Sequence, residues 1–300
     1  MTFPTFVAQS RNSCVIIALI RRTMDGIREP AVSGTFYPGN QGVLRADVDG
    51  YLSKVRLHEP ESAVIGLISP HAGYMYSGQT AAYGYKAISG KSFDTVIIVA
   101  PSHQSFFLGT AVQEKGGYRT PMGVVPIDEE LASALIGKGD AIHADPRVHR
   151  SEHSIEVQLP FLQTVLGEFK IVPLIMGTSQ DPEASRQLAD IVHRCIREKQ
   201  KRYLILGSTD LSHYYPYDLA KEMDKAAIEL LEAFDVDGMI RELARGKYEA
   251  CGAGPIISTM MISRMLGAAR AKVLNYMNSG DITGDMDSVV GYVSCIFCGE

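Results

Sequence analysis

Four short apolar runs dominate the chain: residues 63–69 (AVIGLIS), 95–100 (TVIIVA), 171–176 (IVPLIM) and 203–207 (YLILG). Each is nearly continuous, β-branched and bounded by turn residues, which predicts interior strands covered on both faces. Between them, apolar residues at helical spacing predict helices at 79–88, 129–136, 154–166, 182–198, 219–234 and 255–266. One helix start is explicit: Asp181 serves as N-cap, Pro182 occupies the first helical position and Glu183 sits near the positive dipole end. Two further strands are expected at 273–277 and 289–297, and the acidic, turn-rich stretch 280–287 reads as a surface loop. Strands alternating with helices predict an α/β fold, a single domain with a central, mostly parallel sheet covered by helices on both faces.

With 300 residues, 46% of them hydrophobic, the chain has ample material for one core, and neither a repeat nor a Pro/Ser linker divides it. The 29 Lys plus Arg against 34 Asp plus Glu leave a formal charge of -5, which argues against the basic field of a nucleic-acid binder. Five cysteines, few and odd in number, suit free thiols in a reducing, cytoplasmic compartment. The best apolar run near the N-terminus, residues 14–20, is followed by Arg21 and Arg22 and falls short of the roughly 20 residues of a membrane span. A signal peptide would carry its basic residues before such a run. No membrane partner is expected. The first 23 residues read as an appendage with an alternative start at Met24, so 1–27 is taken as an extension and 28–300 as the domain.

Polar residues gather just past the strand ends. His71 follows AVIGLISP, His103 follows TVIIVAPS, and Asp210 and His213 follow YLILGST. In open α/β sheets that rim binds ligands. Cys251 lies in a small-residue loop opening a helix, where a thiol has a lowered pKa and ligates as thiolate; it reads equally well as a small buried hydrophobe. His153 and Glu156, three apart, share a helical face and form either a pair beside the site, orienting a ligand or relaying a proton, or part of a helix start capped near Ser154. Tyr74 and Tyr76 either line a pocket for an aromatic group or pack half-buried. Cys295 and Cys298 form a C-x-x-C whose strand spacing sends them to opposite faces.

Gly34-Thr35-Phe36-Tyr37-Pro38, PHAGYMYSG from Pro70, PSH from Pro101, EHSIEVQLP from Glu152, TDLSH from Thr209 and CGAGP from Cys251 together resemble, in order, the Memo family, named for a mediator of cell motility in animals and present also in bacteria and archaea. The resemblance covers about Arg28 to the C-terminus. It implies a fold similar to class III extradiol dioxygenases, non-haem iron enzymes that cleave catechol rings. It further implies His71, His103 and Cys251 as metal ligands, with Asp210 and His213 beside them as catalytic residues. Cys251 stands where those enzymes place a carboxylate, so the site is softer and suits Fe(II), with copper or zinc as alternatives. Asp210 is the candidate for the missing carboxylate. His213 takes the role of acid/base residue, with Asp210 expected to orient its ring or raise its pKa.

The leading function is thus a redox or oxygen-using metalloenzyme acting on a small aromatic or enolic molecule. The alternative is a non-catalytic protein that binds a peptide or small molecule in the same pocket. A hydrolase built on Ser102-His103 or Ser212-His213 ranks last, because no G-x-S-x-G surrounds those serines.

Overall fold

The computed structural model describes residues 26–58, 60, 62–137, 141–178 and 180–300. Among them the strands are β1 (Ile27–Arg28), β2 (Val64–Ser69), β3 (Thr95–Pro101), β4 (Thr110–Val112), β5 (Gly117–Thr120), β6 (Gly123–Pro126), β7 (Ile142–Ala144), β8 (Lys170–Met176), β9 (Tyr203–Ser208), β10 (His213–Tyr215), β11 (Arg270–Asn278) and β12 (Val289–Cys298). The four apolar runs are β2, β3, β8 and β9. They lie side by side in the order β2-β9-β3-β8, all parallel, and every residue of β3 is buried, as continuous apolar character demands. Outside this centre the sheet is mixed: β12 joins β2 antiparallel and carries β11 on its other edge, while β4 runs antiparallel to β8 and parallel to β7.

Two glycines show how the faces are covered. A Cβ on Gly66 of β2 would come 2.2 Å from Ser263 Oγ in the helix Ala253–Met265, whereas a Cβ on Gly84 in the helix Tyr74–Ile88 would come 2.4 Å from Leu67 Cδ1. Gly66 and Leu67 are neighbours in one strand and point to opposite faces. The two helices therefore sandwich the sheet, and each approaches closely because its contact contains a glycine. The helices Gln41–Lys54 and Leu159–Val165 pack with Tyr74–Ile88, and Pro182–Ile196 packs on Ala253–Met265. Asp181 caps its helix as read, accepting from Glu183 N at 2.9 Å.

Several element boundaries differ from expectation. The helix expected from residue 79 starts at Tyr74, because Ser77 and Gly78 are buried small residues whose packing overrides their weak helical preference. The helix expected at 154–166 is a 3-10 turn, Glu156–Gln158, running into Leu159–Val165. Pro160 has no N–H to give the Glu156 carbonyl, so an α-helix cannot extend back through it. The stretch read as a loop at 280–287 begins as a helical turn, Ser279–Thr283, closed by an Asn278–Asp281 capping box and by Gly284 at φ 79°. The helices Gln41–Lys54 and Val236–Ala244 escaped the sequence reading; the first buries only Leu44 and Val48.

Strand β1 begins at Ile27, which pairs with Gly117, one residue ahead of the expected domain start. The proposed appendage and Met24 lie outside the described residues. Cys195, Cys251, Cys295 and Cys298 are all free thiols. Cys295 and Cys298 pack into different hydrophobic clusters, in keeping with the alternation of β12. Among the described residues no helix is long and apolar enough to cross a membrane.

Candidate metal centre

Beyond Ser69 at the end of β2, Pro70 turns the chain and places His71, buried, at the carboxyl end of the parallel centre. Its Nδ1 lies 2.8 Å from the hydroxyl of Ser208, the last residue of the adjacent strand β9. That hydroxyl already donates to Ser154 O at 2.7 Å and accepts from Gln158 Nε2 at 2.8 Å. The Gln158 orientation is fixed in turn, since Nε2 also donates to the Pro70 carbonyl at 3.0 Å. A hydroxyl has one proton, so Ser208 can only accept from His71. The His71 proton therefore sits on Nδ1, leaving the Nε2 lone pair facing Cys251 Sγ at 3.2 Å.

His103 is held from behind in a similar way. Glu152 accepts from His103 N at 2.6 Å and binds its Nδ1 at 3.0 Å, which leaves Nε2 as the free ring nitrogen. The His71 and His103 rings are 5.1 Å apart, and one donor atom from each lies with the Cys251 sulfur in a group whose members are all within 4.8 Å of one another. Two oriented imidazoles and a thiol at this spacing can hold a metal ion, with Ser208 and Glu152 fixing the rings as outer-shell partners do. Burial holds the His71 imidazole well below its ordinary pKa, and the neighbouring histidines add to that effect. His103 is raised: burial opposes its charge, but the hydrogen bond and charge of Glu152 outweigh it. The same contacts hold the Glu152 carboxyl far below the usual range despite its burial.

Cys251 is locked against the end of β9. Cys251 N donates to Asp210 O at 3.2 Å, Asp210 N donates to the Cys251 sulfur at 3.2 Å, and Gly252 N donates to Thr209 Oγ1 at 3.0 Å. A Cβ on Gly252 would lie 2.4 Å from Ser208 O, a backbone atom with little freedom to yield. Gly252→Ala is therefore expected to push the loop off β9, cost about 1–3 kcal/mol and draw the sulfur away from His71. Denaturant midpoint and metal content together measure this; a variant with both unchanged would show that the loop yields freely.

The expectation of a lowered thiol pKa is not met. Burial and then the Asp210 charge push the Cys251 thiol up, outweighing any help from the helix that starts at Ala253. A bound dication would reverse that balance, because a coordinating thiol is deprotonated outright. Asp210 itself serves His71: Oδ1 accepts from His71 N at 2.8 Å, and Oδ2 lies 4.0 Å from His71 Nε2. Burial pushes the Asp210 carboxyl up to about 6, against the pull of the His71 N–H and nearby imidazoles.

These groups open into a cavity of about 1000 Å³ that His213 and Tyr76 also line. His213 begins β10, which meets β12 through a bulge, and Tyr214 within it takes a left-handed φ of 65°. In consequence His213, Tyr214 and Tyr215 all reach the cavity wall. Glu249 is the carboxylate paired with His213, at 3.8 Å from Nδ1, and it also accepts from Tyr215 OH at 2.9 Å. Among the described residues Glu249, and not Asp210, is the carboxylate within 4.0 Å of the His213 ring.

Residues 28–296 match the family of Memo-like proteins. The chain belongs to that family. A MEMO1 family protein of Methanosarcina mazei is 40% identical over 271 residues, covering 90% of this chain and 98% of its own. A MEMO1 family protein of Methanopyrus kandleri is 37% identical over 279 residues, with the same coverage of 90% and 98%. Among solved structures, an uncharacterized protein from Escherichia coli K12 superposes with a TM-score of 0.52 over 78% of this chain and 100% of its own; at 11% identity that likeness concerns the fold alone.

Within this Memo-like chain two expected site residues lie elsewhere. Glu156 is fully buried, ion-paired with Arg28, and accepts from Ala31 N, Val32 N and Tyr37 OH. It is a structural anchor and forms no pair with His153. Tyr74 is buried and donates to Val157 O at 2.7 Å, while Tyr76 reaches the cavity. His153 does line the cavity, stacked on His103 with centroids 4.8 Å apart and edged by Phe36 at 4.9 Å. The residues that sequence reasoning missed are Glu152, Gln158, Ser208 and Glu249. Three of them stand inside or directly before the quoted motifs: Glu152 and Gln158 in EHSIEVQLP, and Ser208 ahead of TDLSH.

Proposed function

We propose that this Memo-like protein holds a divalent metal on His71, His103 and Cys251, Fe(II) first with copper or zinc as alternatives, and acts as an oxygen-using redox enzyme on a small aromatic or enolic substrate in a reducing, cytoplasmic setting. The observation that carries the reading is the pair of imidazoles tied through Nδ1 and left with free Nε2 atoms beside one thiol. Such an ion supplies a Lewis acid with open positions for substrate and oxidant. The chain's own residues supply the rest. His213 takes up or returns the proton of a substrate hydroxyl at the cavity wall, with Glu249 orienting its ring. Phe36 and Tyr76 offer apolar faces to flank a ring and exclude water.

Elemental analysis of anaerobically purified protein tests the metal, and oxygen-dependent turnover of catechols tests the enzyme. His213→Ala is expected to keep its metal and lose roughly 10²- to 10⁴-fold in turnover, as removal of a general base does. Complete metal loss in that variant would make His213 a ligand instead. Stoichiometric metal with no turnover of any catechol would favour a binding protein.

A further inference from the structure

The charge of the cavity wall limits what this centre accepts, an inference that rests on the proposed metal reading. Among the described residues lining the cavity there are two carboxylates, Asp210 and Glu249, and neither Arg nor Lys. Arg28 packs behind the segment that carries Glu152 and Glu156, but it is buried and committed to Glu156 and to the carbonyls of His149 and Glu152. A carboxylate or phosphate on a ligand would therefore find no guanidinium or ammonium on the wall, the groups that recognise such anions. A dication on His71, His103 and Cys251 would be half neutralised by the thiolate, and its open positions would serve the phenolic or enolic end of a ligand and not its tail.

Glu249 is a built feature of the mouth. Tyr215 OH donates to one of its oxygens at 2.9 Å, His213 Nδ1 lies 3.8 Å from the other, and its side chain remains 37% exposed, open to a ligand. Beside it Tyr214, held in a left-handed conformation, is 75% exposed. Phe36 and Tyr76 add further aromatic surface. Aromatic faces and a fixed carboxylate are the groups that receive an organic cation.

We propose that the cavity takes a cationic aromatic ligand, its phenolic or enolic end toward His71, His103 and Cys251 and a protonated amine at the mouth against Glu249. The Fe(II)-loaded protein, kept anaerobic, is titrated with dopamine, 4-methylcatechol and 3,4-dihydroxyphenylacetate, which share a ring and differ in tail charge. Dopamine is expected to bind at least roughly tenfold more tightly than the acid, a difference of about 1.4 kcal/mol, with 4-methylcatechol between them. Glu249→Gln keeps an acceptor for Tyr215 OH; it is expected to bring dopamine to the level of 4-methylcatechol and leave metal content unchanged. Equal binding of the three, tightest binding of the acid, no binding to the loaded protein, or an unaltered order in Glu249→Gln each overturns the inference. Metal content measured on every sample tells the two failures apart: wild-type protein that takes up no metal defeats the metal reading and this inference with it, whereas loaded protein that fails to discriminate defeats this inference alone.

Discussion

Replacing Arg28 with methionine is expected to destabilise the protein by about 3–5 kcal/mol, the cost of leaving one member of a buried ion pair alone. Arg28 is 4% exposed and Glu156 0%. The guanidinium also donates to His149 O at 2.8 Å and Glu152 O at 2.6 Å and lies over the Tyr118 ring at 5.0 Å. Without it the Glu156 carboxylate keeps its backbone and phenol donors but loses its only described salt-bridge partner. Because Glu152 and Gln158 flank this anchor in sequence, the loss also loosens the groups behind His103 and His71. Urea titration of Arg28→Met, Glu156→Gln and the double variant checks the argument: the double variant should recover much of the loss. A single variant with an unshifted midpoint would show that the pair is not what holds the segment.

His71→Ala is expected to abolish stoichiometric metal binding, and Ser208→Ala, which touches no metal, to weaken it by roughly 10- to 100-fold, the usual effect of losing an outer-shell partner. The second effect comes from proton accounting. With Ser208 gone, nothing obliges the His71 proton to remain on Nδ1, and the Nε2–H tautomer that cannot ligate becomes accessible. Ser208→Ala also removes one of the two acceptors of Gln158 Nε2 and the hydroxyl that donates to Ser154 O, so some instability, about 1–3 kcal/mol, accompanies it. The two contributions are separable, because nitrogen-15 chemical shifts of the His71 ring report the tautomer without metal. Wild type should show protonated Nδ1 and Ser208→Ala a mixture, with Ser208→Thr restoring the first state. A wild-type ring protonated on Nε2 would refute the assignment.

The strands and the rim they end on are legible in the sequence because strands buried on both faces have no polar positions to blur them. β3 is buried throughout, and the polar residues directly after such a run must form the turn that carries His103. The acid behind that histidine is not legible. Glu152 and Glu156 stand in one short segment, and helical spacing favours Glu156 as the partner of His153. Pro160 denies the segment an α-helix at that point, so the spacing rule does not apply and Glu156 turns inward to Arg28. Glu249 leaves no signal either, since it meets His213 only after the bulge in β10 has turned that strand's side chains onto the cavity. Tyr74 misleads for a related reason: its glycine-rich surroundings resemble a loop, whereas their smallness is what lets the helix pack.

The strand order also dictates when the centre can exist during synthesis. β12, the last strand, lies directly beside β2, the first strand of the parallel centre, and the Cys251 sulfur meets a histidine 180 residues earlier. Neither meeting is possible on a nascent chain until Cys251 and β12 have emerged, and contacts of such long separation form slowly. Any ion captured earlier would bind isolated side chains that lack the serine and glutamate behind the rings. On the proposed metal reading the centre would load only once Cys251 and β12 have been made, and a bound ion would then clasp the β2 rim to the Cys251 loop, stabilising the finished fold by about 2.7 kcal/mol when free metal stands at one hundred times its dissociation constant.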